Sequence, residues 1–176
     1  FVATGFNAGG LDRVINTLAR IKDEQPAVKS RLLVVGPDNP RRFRLQARRL
    51  KVTGEIQFLG SREDMADLML AADLLVYPAR YESTGMVLLE ALALGLPSVA
   101  AGDSGYAQHV EAGRAGILLS SPFSQEQLNR SVMRFMDGIF RADCRESGQR
   151  YARLTDLSAM YRQGADLLER IIGPGG

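Results

Sequence analysis

Short apolar runs alternate with helical repeats from one end of the chain to the other. Phe1–Gly5 reads as a strand. Leu11, Val14, Ile15, Leu18 and Ile21 then recur on one face and predict an amphipathic helix over Leu11–Glu24. Arg31–Gly36 is a continuous apolar strand, followed by a basic helix over about Pro40–Leu50 whose apolar side (Phe43, Leu45, Leu50) is expected to point inward. Glu55–Leu59 alternates as a strand. Ser61 is placed to cap a helix over Arg62–Ala72, with Glu63 and Asp64 near the positive end of its dipole. Asp73–Tyr77 is the next strand, stopped by Pro78. Met86–Leu94 is apolar nearly all round except at Glu90, which predicts a deep helix ending at Gly95. Pro97–Ala101, a short helix over Gly105–Glu111 and Gly116–Leu119 continue the alternation. Ser124 and Gln127 have capping-box spacing, and the tail to Ile172 reads as wholly helical. Strands joined by helical crossovers imply an α/β fold: a Rossmann-like, doubly wound parallel sheet of about six strands.

At 176 residues and 45% hydrophobic content, the chain is expected to be a single domain with a buried core. Its 22 Lys and Arg against 20 Asp and Glu leave +2, which does not call for nucleic acid. The single Cys144 cannot close an internal disulfide and fits a reducing compartment. The longest apolar stretch, near Ala91–Ala101, holds Gly95 and Pro97 and is no membrane span. The first residue is not Met and lies inside a strand pattern, so residues 1–176 are expected to be a piece of a longer protein.

Chemistry concentrates around Glu82 and Glu90. Glu82 follows the strand ending at Pro78, on the loop where an open α/β sheet keeps its ligand. Next to it, the helix start at Gly85, Met86 and Val87 leaves amides without intrahelical acceptors, a ready anion site. Glu90 is the polar residue of an otherwise apolar helix. If buried, it needs a partner: vicinal ribose hydroxyls would serve, and so would a core arginine or a backbone amide.

The run Glu82-x-x-Gly85-x-Val87-x-x-Glu90-Ala91-x-x-x-Gly95-x-Pro97 resembles the E-x7-E signature of the retaining glycosyltransferases of family 4, which have the two-domain GT-B fold. Gly10-x-Asp12-Arg13, Val34-Val35-Gly36-x-Asp38, Ala71–Leu75, Gly105-Tyr106-Ala107 and Ser121–Asn129 resemble its lipopolysaccharide-core glucosyltransferase I branch. The resemblance implies the C-terminal, donor-binding half of such an enzyme, with the N-terminal acceptor domain outside these residues. It implies a nucleotide sugar as substrate, most simply UDP-glucose, with no cofactor and no metal. The acceptor would be a lipid-linked saccharide reached through the N-terminal domain, and the location cytoplasmic, with peripheral attachment to the inner membrane. By the same resemblance, Glu90 would hold the ribose and Glu82 the donor sugar. Gly85, Met86 and Val87 would offer amides to sugar or phosphate. Arg62, in the turn Gly60-Ser61-Arg62, would border the base. Gly5 and Gly10 would border the loop facing the diphosphate.

One departure stands out. The family carries an Arg-Lys pair directly before the glycine equivalent to Gly10, whereas Ala8 and Gly9, preceded by Asn7, stand here. Those cations neutralise the leaving diphosphate, and losing them removes transition-state stabilisation. Either Arg80 or Arg13 substitutes, or the chain is a non-catalytic nucleotide-binding or scaffolding relative, or those residues have been altered. Arg80 is otherwise a solvated loop arginine. A flavodoxin-like regulator without sugar chemistry is the more distant alternative. Arg41, Arg42, Arg44, Arg48 and Arg49 form either a solvated helix face or a patch for an anionic membrane. His109 reads as a surface or packing residue.

Overall fold

The computed structural model describes residues 1–81 and 85–155, and within them helices and parallel strands alternate as the sequence pattern predicts. Strand β1 (Leu32–Val35) pairs with β2 (Ile56–Gly60), and β3 (Leu75–Tyr77), β4 (Ser98–Ala101) and β5 (Gly116–Leu119) pair in that order, all in parallel. The described residues thus hold five strands rather than six. The expected first strand is reduced to one bridge, Val2 to Val35, with Ala3 N–H donating to Val35 O at 3.1 Å and Val35 N–H to Phe1 O at 3.0 Å. Its ladder ends there because the chain turns at once, Gly9 N–H reaching Gly5 O at 2.9 Å.

β3 and β4 bury both faces, as the central strands of a doubly wound sheet do. Val76 and Val99 join Leu11, Val14, Ile15 and Leu18 of α1 (Leu11–Glu24) and Phe43 of α2 (Arg41–Arg49) in one core. Leu75, Tyr77 and Ala100, one residue out of phase, point into a second core. It holds Met69 of α3 (Met65–Leu70), Leu88 and Ala91 of α4 (Met86–Ala93) and Val110 of α5 (Ala107–Ala112). Side chains of this size contribute about 1.5–3 kcal/mol each on full burial. Two further helices, α6 (Gln125–Arg134) and α7 (Gly138–Leu154), complete the described fold, with Leu128 and Cys144 closing the first core.

Local chemistry explains where elements depart from expectation. Helix α3 begins at Met65 instead of Arg62, and Ser61 does not cap it. Arg62 binds Asp64 through two hydrogen bonds of 2.8 and 2.6 Å, which holds the expected first turn in a different shape. Ser124 does cap α6, its hydroxyl accepting from Gln127 N–H, but the Gln127 side chain turns to Ser120 and leaves the capping box half made. The expected continuous tail breaks at Asp137, whose carboxylate accepts from Ile139 and Phe140 N–H and starts α7 anew. Its stretch from 156 to Ile172 lies outside the described residues. On α2 the inward residues are Phe43 and Ala47; Leu45 and Leu50 are exposed, contrary to the helical pattern.

Candidate functional site

Two loops meet beyond the carboxyl ends of Phe1–Ala3 and β3. The first, Gly5–Gly10, is wound tightly: Gly10 N–H donates to Asn7 O at 3.2 Å and Leu11 N–H to Phe6 O at 2.9 Å. Phe6 anchors it, its ring buried against Phe1 and Phe43 and its N–H donating to the Asp38 carboxylate at 2.8 Å. Gly10 precedes α1 at φ 81, and a Cβ there would collide with the carbonyl oxygen of Pro78. Only glycine lets the two backbones come this close.

The second loop, Pro78–Tyr81, is stapled to the first. Arg80 N–H donates to Ala8 O at 2.7 Å, and its guanidinium to Asn7 O at 3.0 Å. The same guanidinium grips Asp12 with bonds of 2.7 and 2.6 Å. Arg13 donates to Pro78 O at 2.9 Å and lies 3.7 Å over the Phe123 ring. Burial, then the neighbouring Arg80 charge, lower the Arg13 pKa; hydrogen bonding to Asp12 raises that of Arg80. These joined loops lead to α1 and α4, which feed opposite cores. Their junction is therefore the topological switch point, the crevice where open α/β sheets bind ligands.

Helix α4 follows the second loop along the chain. Gly85, buried and at φ 67, precedes Met86, so the helix starts where the spacing places an anion-accepting terminus. Leu88, Leu89, Ala91 and Leu92 are buried, while Met86 and Val87 are half-buried and Glu90 and Ala93 exposed. Glu90 therefore faces solvent, contrary to the expectation of a buried carboxylate. The helix presents a narrow outward stripe through positions 86, 90 and 93, and Glu90 is on it. Glu82 lies outside the described residues. Arg62 is on the surface after β2, paired with Asp64, and Gly60 at its strand end accepts from Gly36 N–H at 2.9 Å.

The structure also brings in a residue that spacing did not single out for this place. From the first turn of α2, Arg42 Nη1 donates to Asn7 Oδ1 at 3.3 Å. The sequence carried only a weak signal for it, a basic helix following a strand end.

A cavity of about 540 Å³ lies elsewhere, at the opposite ends of β1 and β3, among Phe1, Leu32, Leu75, Met69 and Phe135. Its lining is mainly apolar and includes neither the glycine loop nor α4, so it does not belong to the crevice.

Residues 1–151 match the family model described as glycosyl transferases group 1. The chain belongs to this family. It is 37% identical over 168 residues to the lipopolysaccharide glucosyltransferase WaaG of Escherichia coli K12, covering 95% of this chain and 45% of that protein. A D-inositol 3-phosphate glycosyltransferase of Streptomyces bingchenggensis is 35% identical over 118 residues, 61% of this chain and 26% of the relative. Among solved structures, the WaaG crystal structure superposes with a TM-score of 0.88 at 36% identity, covering 94% of this chain and 45% of that one. Anabaena HepE in complex with UDP-glucose superposes at 0.77 and 28% identity, over 97% and 49%. The chain thus spans less than half the length of these relatives. Its fold is that of one half of a GT-B glycosyltransferase.

Proposed function

We propose that residues 1–176 are the donor-binding domain of a retaining glycosyltransferase whose acceptor domain lies outside them. The observation that carries this reading is the crevice itself. A glycine loop is locked to Pro78 and Arg80 at the end of β3, and the chain runs on from there to α4, whose outward stripe presents Glu90. Glu90 would accept from the ribose hydroxyls, and Glu82 would hold the donor sugar. The amides of Gly85, Met86 and Val87 would take sugar or phosphate oxygens, with Gly10 beside the diphosphate and Arg80, paired with Asp12, at its border. Arg62 would border the base.

In the full protein the acceptor hydroxyl oxygen would bond to the anomeric carbon as its bond to the nucleotide phosphate breaks. The acceptor proton would pass to the leaving diphosphate. WaaG identity supports a lipopolysaccharide-core acceptor carried on lipid, and the UDP-glucose complex of HepE supports UDP-glucose as donor. Attachment at the cytoplasmic face of the inner membrane fits such an acceptor. Five arginines beside exposed Leu45 and Leu50 make α2 suited to an anionic surface. Among the described residues no helix is long and apolar enough to cross a membrane.

A second reading, a nucleotide-binding relative without catalysis, is favoured by one observation. Ala8 and Gly9 stand where the family carries cations, and Arg80 is already paired with Asp12.

Calorimetric titration separates the two. UDP should bind with a Kd between micromolar and low millimolar, about −4 to −8 kcal/mol, and more tightly than GDP, ADP or uridine. Glu90→Ala should abolish binding without loss of fold, because the side chain is exposed. UDP binding no better than uridine would give the lead to the non-catalytic reading. The isolated domain should show no transferase activity in either case.

A further inference from the structure

Three guanidinium groups converge on the glycine loop, and their pairing differs. Arg80 is committed to Asp12, so lending its charge to a ligand would leave a half-buried carboxylate unpaired. Arg13 is spent on the carbonyl of Pro78 and the face of Phe123. Arg42 is exposed, forms no ion pair among the described residues, and touches the loop through a single 3.3 Å bond to the neutral Asn7 amide. A bond to a neutral acceptor is weaker than one to a phosphate oxygen, so exchanging Asn7 for an anion favours binding.

The scaffold keeps Arg42 at this place. Asp38, four residues before it, accepts from Phe6 N–H at 2.8 Å, and Asn39 Oδ1 accepts from Arg41 N–H at 2.9 Å. The strand end, the start of α2 and the glycine loop are thus one connected unit. Its positive charge, in no ion pair among the described residues, stands beside Asn7, where the other guanidinium, that of Arg80, is already bound to Asp12.

We infer that Arg42 is the diphosphate-binding cation of this chain, reaching across Asn7 to the position vacated by the substitution of Ala8 and Gly9. The inference rests on the donor-site reading and names which residue makes that site work. Guanidinium suits the task because its fork matches two phosphate oxygens at once. Asn7 holds the side chain over the loop until an anion takes its place.

The test is calorimetric titration of the 176-residue chain and its variants with UDP and with uridine. Arg42→Gln should weaken UDP by about tenfold and change uridine by less than about twofold, so that the preference for the diphosphate collapses. Arg42→Lys should recover part of the loss, since a point charge replaces the fork. Arg20→Gln, which removes a distant charge on α1, should leave UDP affinity unchanged. If Arg42→Gln keeps the full preference for UDP while Glu90→Ala abolishes binding, the donor site stands and the role of Arg42 is overturned. If the unaltered chain binds UDP no better than uridine, the inference and the reading beneath it fall together.

Discussion

Arg80 and Asp12 face each other across the two loops of the crevice, Nη1 to Oδ1 at 2.7 Å and Nη2 to Oδ2 at 2.6 Å. Their side chains are 26% and 20% exposed, so the pair is neither a solvated surface contact nor a fully buried ion pair. Burial alone would raise the Asp12 carboxyl, but the Arg80 hydrogen bonds and charge outweigh it and hold the carboxyl below its ordinary 3.8. A depressed carboxyl stabilises the fold above its unfolded pKa and loses that contribution as the pH falls through the folded value. Asp12→Asn should therefore cost about 1–3 kcal/mol at pH 7 by urea denaturation, nearer the lower end because water screens the pair. The gap to the unaltered chain should narrow as the pH is taken below 3.8. Equal stability at pH 7 would show that the pair joins the loops without stabilising them.

Ala8 and Gly9 differ in what they leave room for. Ala8 is exposed, whereas a Cβ on Gly9 would lie 2.8 Å from the Ala3 methyl and 2.9 Å from the Phe1 ring. Restoring a cation at the two positions should accordingly have opposite outcomes. Ala8→Arg should change stability by less than about 0.5 kcal/mol and strengthen UDP binding. Gly9→Lys should cost about 1–3 kcal/mol through overpacking. Urea midpoints of the two variants check this, and equal stability would sink the crowding argument.

Which parts of this were legible follows from the range of the interactions involved. Helix α1 spans Leu11–Glu24 as expected, because a stripe of five residues at helical spacing is a local signal. The start of α3 was not legible: Arg62 binds Asp64 instead of letting Ser61 cap, a competition between side chains that propensity does not rank. On α4 the abundance of apolar residues pointed to all-round burial, yet burial is decided by what the other elements cover, and they leave Glu90 outside. The Arg80–Asp12 pair spans 68 positions and the Arg42–Asn7 contact 35, separations at which a single sequence carries no pairing signal. Such long-range contacts decide which charges of the joined loops are paired.

His109 is the single histidine of the chain, which makes its titration directly observable. Its Nδ1 lies 2.8 Å from the Tyr151 hydroxyl, joining α5 to α7, and burial lowers its pKa below the ordinary 6.5. The folded state then binds fewer protons than the unfolded chain below that value. Stability should be complete above about pH 6.5 and decline as the pH falls toward the folded pKa. Following the imidazole proton resonances with pH should return a value under 6.5, and His109→Gln should flatten the acid slope of stability over that range. A measured value at or above 6.5 would contradict the burial account.

Gly10 and Gly60 share a left-handed backbone, φ 81 and 68, but not their surroundings. A Cβ on Gly60 would meet nothing within 4 Å, whereas one on Gly10 would run into the Pro78 carbonyl and approach Arg13 Cδ at 3.2 Å. Gly60→Ala should therefore cost only the handedness penalty, about 1–2 kcal/mol. Gly10→Ala adds an overlap with backbone, which cannot swing aside, for a further cost of about 1–3 kcal/mol. Relief of that overlap would require the glycine loop to part from Pro78, which would strain the Arg80 to Ala8 bond and move the loop out of the crevice. Gly10→Ala should thus lose both stability and UDP binding, while Gly60→Ala loses the smaller part of stability. Equal destabilisation of the two variants in urea would mean that backbone handedness, and not the closeness of the two loops, sets the requirement for glycine at position 10.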